Sequence, residues 1–462
     1  MNPEQVDMET EQAPVAHPEN LQVDDVGEFV DMNDVEEVQV DDENAPMEDD
    51  DDDGAVAADA APSEPIVDMS KAQVTTAHTD AVYAVASFLE PADGSLTVVT
   101  GGGDDKAFLH KLGGKGGNQS QMLSFQHTDT VSSVALNTAF VSDDLSKTPK
   151  FAAAAGYDGN ICIYNPDTAA LLHKLEGPSD VECLAFHNKG GSVLLAGSGD
   201  ATLWMFHMSV SNSKCLQVFV GHEAAVTGCT FSKDGRWALS GSSDGTVRIW
   251  APKTGLNKHT FRFVRQGQEA APITCMDTGG AENQLILAGA EDGTAHVCNI
   301  STKKVVTSLR HYEVPLELQT LENDQEEMEL PMSVEAVGFS TSNPNWVATG
   351  GVDGVLKIWD LSIGDGTCRH QCKTGMEHEG ITRLKWHPSL PVVFTSTSRG
   401  RIQVWDARSG SLLQTLTGHA DSINDLDFQF TAAGVAVITT VSDDKSLRVF
   451  ESNVPALLNQ QS

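Results

Sequence analysis

One short unit recurs along the chain and limits the fold more than any other feature. Its clearest copy is SSDGTVRIW at 242–250, and GVDGVLKIWD at 351–360, SRGRIQVWD at 398–406 and SDDKSLRVF at 442–450 repeat it. Looser copies are GGGDDKAFLH at 101–110, GYDGNICIY at 156–164, GSGDATLWMF at 197–206 and AEDGTAHVC at 290–298. The turn residues fall at 104, 158, 200, 244, 292, 353, 399 and 444, with separations of 54, 42, 44, 48, 61, 46 and 45. Each copy reads as strand, tight turn, strand. Asp-Gly supplies the positive φ that a short turn between antiparallel strands requires. The residues after it alternate, with Val247 and Ile249 on one face and Thr246, Arg248 and Trp250 on the other. Another short apolar strand precedes the turn, as at Trp237 to Leu239 and Trp346 to Ala348.

A period near roughly 40–45 residues, lengthened by insertions, is the mark of WD repeats, each one blade of a β-propeller. The fold class expected is all-β: an eight-bladed WD-repeat β-propeller over residues 71–462, behind a disordered acidic arm at 1–70. In WD repeats a His, a Ser or Thr, the turn Asp and the strand Trp form a buried hydrogen-bonded set. The best match here is His222, Ser240, Asp244 and Trp250. Buried Asp and His need such partners, because unpaired they would cost several kcal/mol. These four are therefore structural and not a catalytic triad. His78, His127, His378 and His419 take the same place in other repeats, whereas repeats three, five and six lack it. The Trp position holds His110, Tyr164, Phe206, Cys298 and Phe450 in weaker repeats, and Arg399 replaces one turn Asp. Gln73-Val74-Thr75-Thr76 has strand character ahead of the first His and is expected to supply the outer strand of the last blade, closing the ring.

Charge is unevenly placed. The chain carries 66 Asp and Glu against 29 Lys and Arg, a net −37. Residues 1–70 hold 24 of the acids and no Lys or Arg, leaving 42 acids against 29 bases, a net −13, in the remainder. That balance argues against nucleic acid or an anionic membrane as main partner, since phosphate binding needs clustered Lys and Arg. The arm, with Glu48 to Asp53 as an unbroken anionic run, is too polar and self-repelling to bury a core. A second acidic insertion, 311–331, carries seven acids and no Lys or Arg and reads as a mobile loop between blades five and six, while 113–120 reads as a flexible loop. Met1-Asn2-Pro3-Glu4 opens no secretory signal, and no apolar run approaches the ~18 residues of a membrane helix. The eight Cys then read as reduced thiols, and the expected compartment is the cytoplasm, with nuclear residence also compatible.

No motif of catalysis stands out. Lys115 lies in a Gly-rich stretch but lacks phosphate-loop spacing, and no H-E-x-x-H or nucleophile elbow occurs. Cys368, His370 and Cys372 have no second ligand pair and read as an outer strand. No enzyme activity, cofactor or metal is expected. The question becomes which surface binds what. In WD propellers the residue after the apolar start of each inner strand faces the central channel. Here that position holds Tyr83, Ser132, Glu182, Thr227, Thr274, Glu335, Thr382 and Asn424. The residue before the turn adds Tyr157, Glu291 and Asp443, and the loops leading into the inner strands add Asp129 and Asp180. No Lys or Arg appears among them. Tyr83, Asp129, Tyr157, Asp180, Glu182, Glu291, Glu335 and Asp443 are thus the candidate site, an acidic and partly aromatic bowl suited to a Lys/Arg-rich peptide.

The stretches TGGGDDKAFLHKL at 100–112, LLAGSGDATLWMF at 194–206, and RHQC at 369–372 with VWDARSGSLL at 404–413 resemble the angio-associated migratory cell protein family. The acidic leader and the acidic insertion also fit that family. It includes a yeast dedicated chaperone of a basic large-subunit ribosomal protein. The resemblance implies an eight-bladed propeller whose acidic face holds the basic N-terminal segment of such a protein and delivers it to the pre-60S particle. A monomer is expected, without nucleic acid or membrane insertion. Animal relatives are tied instead to migration and signalling, which makes a scaffold the alternative, and a histone-binding role suits the same face.

Overall fold

The structure, a computed structural model, describes residues 66–68, 73–90, 93–113, 117–137, 151–189, 192–264, 269–312, 332–363, 365–373 and 379–460. The acidic arm up to residue 65, His378, Lys115 and the acidic insertion from 313 to 331 lie outside the described residues.

Eight sheets follow one another along the chain, seven of them built on four antiparallel strands consecutive in sequence and the last on three. Their inner strands are Val82–Leu89, Ser133–Leu136, Val181–Phe186, Gly228–Phe231, Ile273–Gly279, Val334–Phe339, Ile381–Trp386 and Ile423–Phe430. Each contacts the inner strand of the next blade, and the last contacts the first, so the strands surround a central channel. Blade eight draws its outer strand from far upstream. Gln73–Thr75 pairs antiparallel with Leu447–Ser452, with Val74 opposite Arg448, which is the closure expected from sequence. One further strand was not foreseen. Ile66–Asp68, inside the stretch assigned to the arm, runs parallel to Ser411–Thr417 on the edge of blade seven. Three residues are too few to display the alternation by which a strand is recognised.

The core is divided among the seams. Eight apolar clusters are present, and each is shared by two adjacent blades, including blades eight and one. Strand alternation explains this. Ala152 and Ala154 face blade one, whereas Ala153 and Ala155 face blade three. Such strands are buried on both faces, which is why they read as unbroken apolar runs. The short helix Val454–Gln460 drops Val454 and Leu457 into the seam between blades seven and eight.

Polar tethers fix the loops to this framework. In blade four, Trp250 Nε1 donates to Ser240 Oγ at 2.8 Å, His222 Nε2 lies 2.7 Å from that hydroxyl, and His222 Nδ1 lies 2.8 Å from Asp244 Oδ2. The backbone N–H of Glu223 donates to the same carboxylate oxygen. Burial acts to raise the Asp244 pKa, but the bonds from His222, Thr246 and the Glu223 backbone outweigh it and hold the carboxyl well below the usual range. Gly245, at φ 72°, completes the turn, and Asp105, Ala201 and Lys445 adopt the same left-handed conformation where blades one, three and eight lack the Gly. Equivalent His–Asp contacts join His78 to Asp104, His127 to Asp158 and His419 to Asp444.

Blade six corrects the expectation that it lacks the His. His311 is buried, 2.6 Å from Thr349 Oγ1 and 3.2 Å from Asp353, and Trp359 Nε1 donates to the same threonine. His311 precedes the long insertion in sequence, so its distance from Val334 hides the spacing seen elsewhere. Blade seven uses a different device: Glu379 is fully buried, accepts from Thr397 Oγ1 at 2.7 Å and faces the Arg401 guanidinium. In blade one, His110 stands where Trp is usual, bridging Thr100 and Ser120 at 3.0 and 2.8 Å.

His311→Ala is expected to destabilise the protein by about 1–3 kcal/mol, as much as His222→Ala, because each leaves a buried partner unsatisfied. Denaturant unfolding of the two variants checks this, and a neutral His311→Ala would restore the assignment from sequence. Burial, with the nearby His78, depresses the His110 pKa from 6.5 to about 3. A depressed folded value means that the unfolded chain binds more protons, so this stability is present above 6.5 and is lost as pH falls toward 3. The depressed carboxyls act in the same direction but only below about pH 4. Burial depresses His78 and His387 in the same direction, so His110→Phe should reduce but not abolish the pH dependence of unfolding between pH 6.5 and 4.5.

Candidate functional site at the mouth of the pore

Six inner strands share one irregularity at the channel mouth. Their pairing with the second strand skips a single residue: Tyr83, Glu182, Thr274, Glu335, Thr382 and Asn424 in blades one, three, five, six, seven and eight. A β-bulge of this kind leaves one residue outside the ladder and re-aims its side chain. Ser132 and Thr227 occupy the position just before their own inner strands. A cavity of 720 Å³ opens there, lined by Tyr83, Thr130, Ser132, Tyr157, Glu182, Thr227, Glu335, Thr382, Arg383 and Asn424. The sequence-predicted channel positions thus converge, except Thr274, which lies outside the lining.

Most of the short polar residues in this ring are already engaged. Thr227 Oγ1 donates to the carbonyl of Ile273 in the next blade at 2.6 Å, and Asn424 Nδ2 donates to that of Val82 at 3.0 Å. Ser132 and Thr274 make the same bond, to the carbonyls of Val181 and Val334. These side chains stitch blade to blade. The carboxylate of Glu335 has no hydrogen-bond or ion-pair partner among the described residues. Tyr83 and Tyr157 remain 42% and 39% exposed. Tyr157 Oη lies 3.4 Å from Glu182 Oε2, a long contact. Burial and the charge of Asp180 raise the Glu182 pKa against the opposing contact from Tyr157. Burial also raises the Tyr157 phenol, helped by Glu182, Tyr83 and Asp129. These groups therefore act on one another electrostatically.

The other predicted residues sit differently. Asp129 and Asp180 are exposed beside this cluster, with Asp129 Oδ1 accepting from the backbone N–H of Thr130. Glu291 is exposed and outside the cavity lining. Asp443 is also outside it, and its carboxylate accepts from Asn424 Nδ2 at 2.7 Å.

One cation was missed. Arg383 lines the cavity, although the channel positions read from sequence contain no Lys or Arg. It occupies the residue after the bulge in blade seven, where the corresponding residue of blade eight is Asp425, and its Nε lies 3.5 Å from Asp425 Oδ1. Two residues further along, Lys385 Nζ lies 2.7 Å from Asp427 Oδ1. The second oxygens of these Asp reach blade one: Asp425 accepts from the Val85 N–H, and Asp427 from both the N–H and hydroxyl of Ser87. Reading one residue deeper along each inner strand would have exposed this charge ladder.

Blades, tethers and seam-shared core together define a WD-repeat β-propeller with an open polar mouth that holds two carboxylates, two tyrosines and one arginine. The WD domain, G-beta repeat family matches residues 119–165, 169–207 and 213–251, and the N-terminal domain family of nucleolar protein 10-like proteins matches 255–457. The chain belongs to the angio-associated migratory cell protein family: the dog protein of that name is 33% identical over 372 residues, which cover 80% of this chain and 77% of the dog protein. Among solved structures, Saccharomyces cerevisiae Sqt1 aligns with a TM-score of 0.68 at 18% identity, over 84% of this chain and 98% of its own. Chaetomium thermophilum Sqt1 bound to the N-terminus of the ribosomal protein L10 aligns at 0.67 and 17% identity, over 84% and 99%. At these identities the likeness to Sqt1 is one of fold.

Stitching and unengaged residues should respond oppositely to substitution. Asp427→Ala is expected to cost about 2–3 kcal/mol of stability, since it strands a Lys and two blade-one donors. Glu335→Gln should change stability by less than about 0.5 kcal/mol. Urea unfolding of both variants measures the contrast.

Proposed function

We propose that this protein is a binding propeller that captures the basic N-terminal segment of a large-subunit ribosomal protein at the pore mouth and supports its assembly into the pre-60S particle. The observation that carries the reading is the pair of unneutralised carboxylates, Glu182 and Glu335, in a 720 Å³ cavity with two exposed tyrosines. A carboxylate partly withdrawn from water without a cationic partner gains most from a ligand that brings one. Binding, rather than catalysis, suits a site whose hydroxyls are spent on backbone carbonyls and whose His, Ser and Asp sets are buried tethers. Further support is the shared architecture with the Sqt1 that was solved on the N-terminus of ribosomal protein L10. A cavity of this size admits several side chains of an extended segment and no folded domain.

Titration of a synthetic L10 N-terminal peptide onto the full chain tests the proposal. Binding should weaken steeply with added salt, and Glu182→Lys with Glu335→Lys should reduce affinity by at least about 100-fold while the unfolding transition stays unchanged. Normal binding by that double variant, or recovery of signalling proteins or histones in place of ribosomal protein in pull-downs, would overturn it.

A further inference from the structure

The cavity is not uniform around its rim. Tyr83, Tyr157 and Glu182 stand on blades one, two and three, with Asp129 and Asp180 exposed beside them, whereas Arg383 stands on blade seven. Tyr83 is close enough to Tyr157 to help raise its phenol, yet neither ring contacts another aromatic ring among the described residues. The Tyr83 ring edge is seated by Gly103, where a Cβ would come within 3.1 Å of Tyr83 Cε2. Asp180 is seated over Gly199 in the same way, at 3.2 Å. The local backbone thus holds the groups of this corner while leaving their outward surfaces open.

We propose that Tyr83, Tyr157 and Glu182 form an arginine-selective niche, and that Arg383 denies the opposite wall of the cavity to cations. This rests on the reading of the mouth as a site for a basic segment and names its anchoring side chain. A guanidinium is planar and weakly hydrated, stacks on aromatic faces, and presents paired N–H donors to a carboxylate. A phenol ring at the carboxylate, with a second ring beside the first, matches all three properties. An ammonium can satisfy the carboxylate, but it is strongly hydrated and has no flat surface for the rings. Tyr157 Oη meets only Oε2 of Glu182, and distantly, so a bidentate donor can take the carboxylate without displacing a strong bond. Burial raises the Glu182 pKa, as expected of a carboxylate waiting for a counter-charge. Across the cavity, the half-exposed Arg383 guanidinium is held by Asp425 and the Thr382 carbonyl and presents like charge to an incoming cation. Tyr83 and Tyr157 become specificity-determining residues, and the basic segment acquires a fixed side on which its arginine must lie.

The test uses the full chain and two synthetic ten-residue peptides of equal charge, one with four Arg and one with four Lys at the same positions, followed by calorimetric titration. Wild-type protein should prefer the Arg peptide by about tenfold, the scale of a partly desolvated cation–π contact. Tyr83→Ala with Tyr157→Ala should abolish that preference by weakening the Arg peptide more than the Lys peptide, and Tyr83→Phe should keep it, since the stacking face survives. Arg383→Ser should strengthen binding of both peptides. Equal wild-type affinity for the two peptides, or a preference that survives the double Ala variant, would overturn the niche while leaving the acidic-mouth reading intact. Unchanged binding in Arg383→Ser would remove the role of that residue. Failure of both peptides to bind the wild type would instead overturn the reading of the mouth itself. Both tyrosines are exposed, and an unchanged melting temperature separates loss of the niche from loss of fold.

Discussion

No blade of this protein buries its two faces alone. Alternate residues of a single strand, Ala152 to Ala155, serve two different seams, and every apolar cluster is shared between neighbours. Such a fold exists only if the ring closes, because one open seam would expose two half-cores. Seven seams join blades consecutive in sequence. The eighth joins residues some 340 positions apart, where chain connectivity gives no help. Three devices meet at that point: the outer strand Gln73–Thr75, the shared apolar cluster of blades eight and one, and the pair Asp425 and Asp427. Each Asp uses one oxygen for blade one and the other for a cation of blade seven. The seam where sequence continuity is absent thus receives charge-assisted hydrogen bonds, the stronger kind.

The same closure decides which groups are left for a partner. At the bulges and the equivalent positions of blades two and four, Ser132, Thr227, Thr274 and Asn424 supply a short donor that reaches the next blade's carbonyl. An ionised Glu has no proton to donate, and a Tyr hydroxyl is carried too far from the backbone to reach that carbonyl. Tyr83, Glu182 and Glu335 therefore cannot stitch, so their chemistry points outward. Tyr83, Glu182 and Glu335, the candidate binding groups at the mouth, are positions at which the ring makes no such bond.

Much of this was legible in the chain. Turn spacing gave the number of blades, alternation at Val247 to Trp250 gave the two faces, and the His222 set was placed correctly because its members keep their usual separations. Gln73 to Thr76 could be assigned to the last blade because a propeller tolerates no unpaired edge there. Two features escaped for physical reasons. His311 is divided from its inner strand by the insertion, so a spacing rule cannot find it although the tether itself is intact. Arg383 escaped because the bulge turns two successive residues toward the mouth, whereas strict alternation allows only one. Asp443, read as a channel position, lies outside the cavity lining with its carboxylate engaged by Asn424.

Arg383 also connects stability with recognition. It belongs to the ladder that carries Asp425 and Asp427 into the closing seam, so its charge is required where it stands. That requirement places a guanidinium, paired with Asp425, on the blade-seven side of the cavity. Tyr83, Tyr157 and Glu182 stand across from it on blades one to three, and Glu335 stands beside it on blade six. A symmetric ring of eight similar units would bind a basic segment in eight equivalent orientations. A carboxylate also bridges blades five and six, where Asp277 accepts from the Phe339 N–H, but the Arg383–Asp425 and Lys385–Asp427 pairs make blades seven and eight unlike the rest, which a repeat pattern in sequence cannot encode by itself.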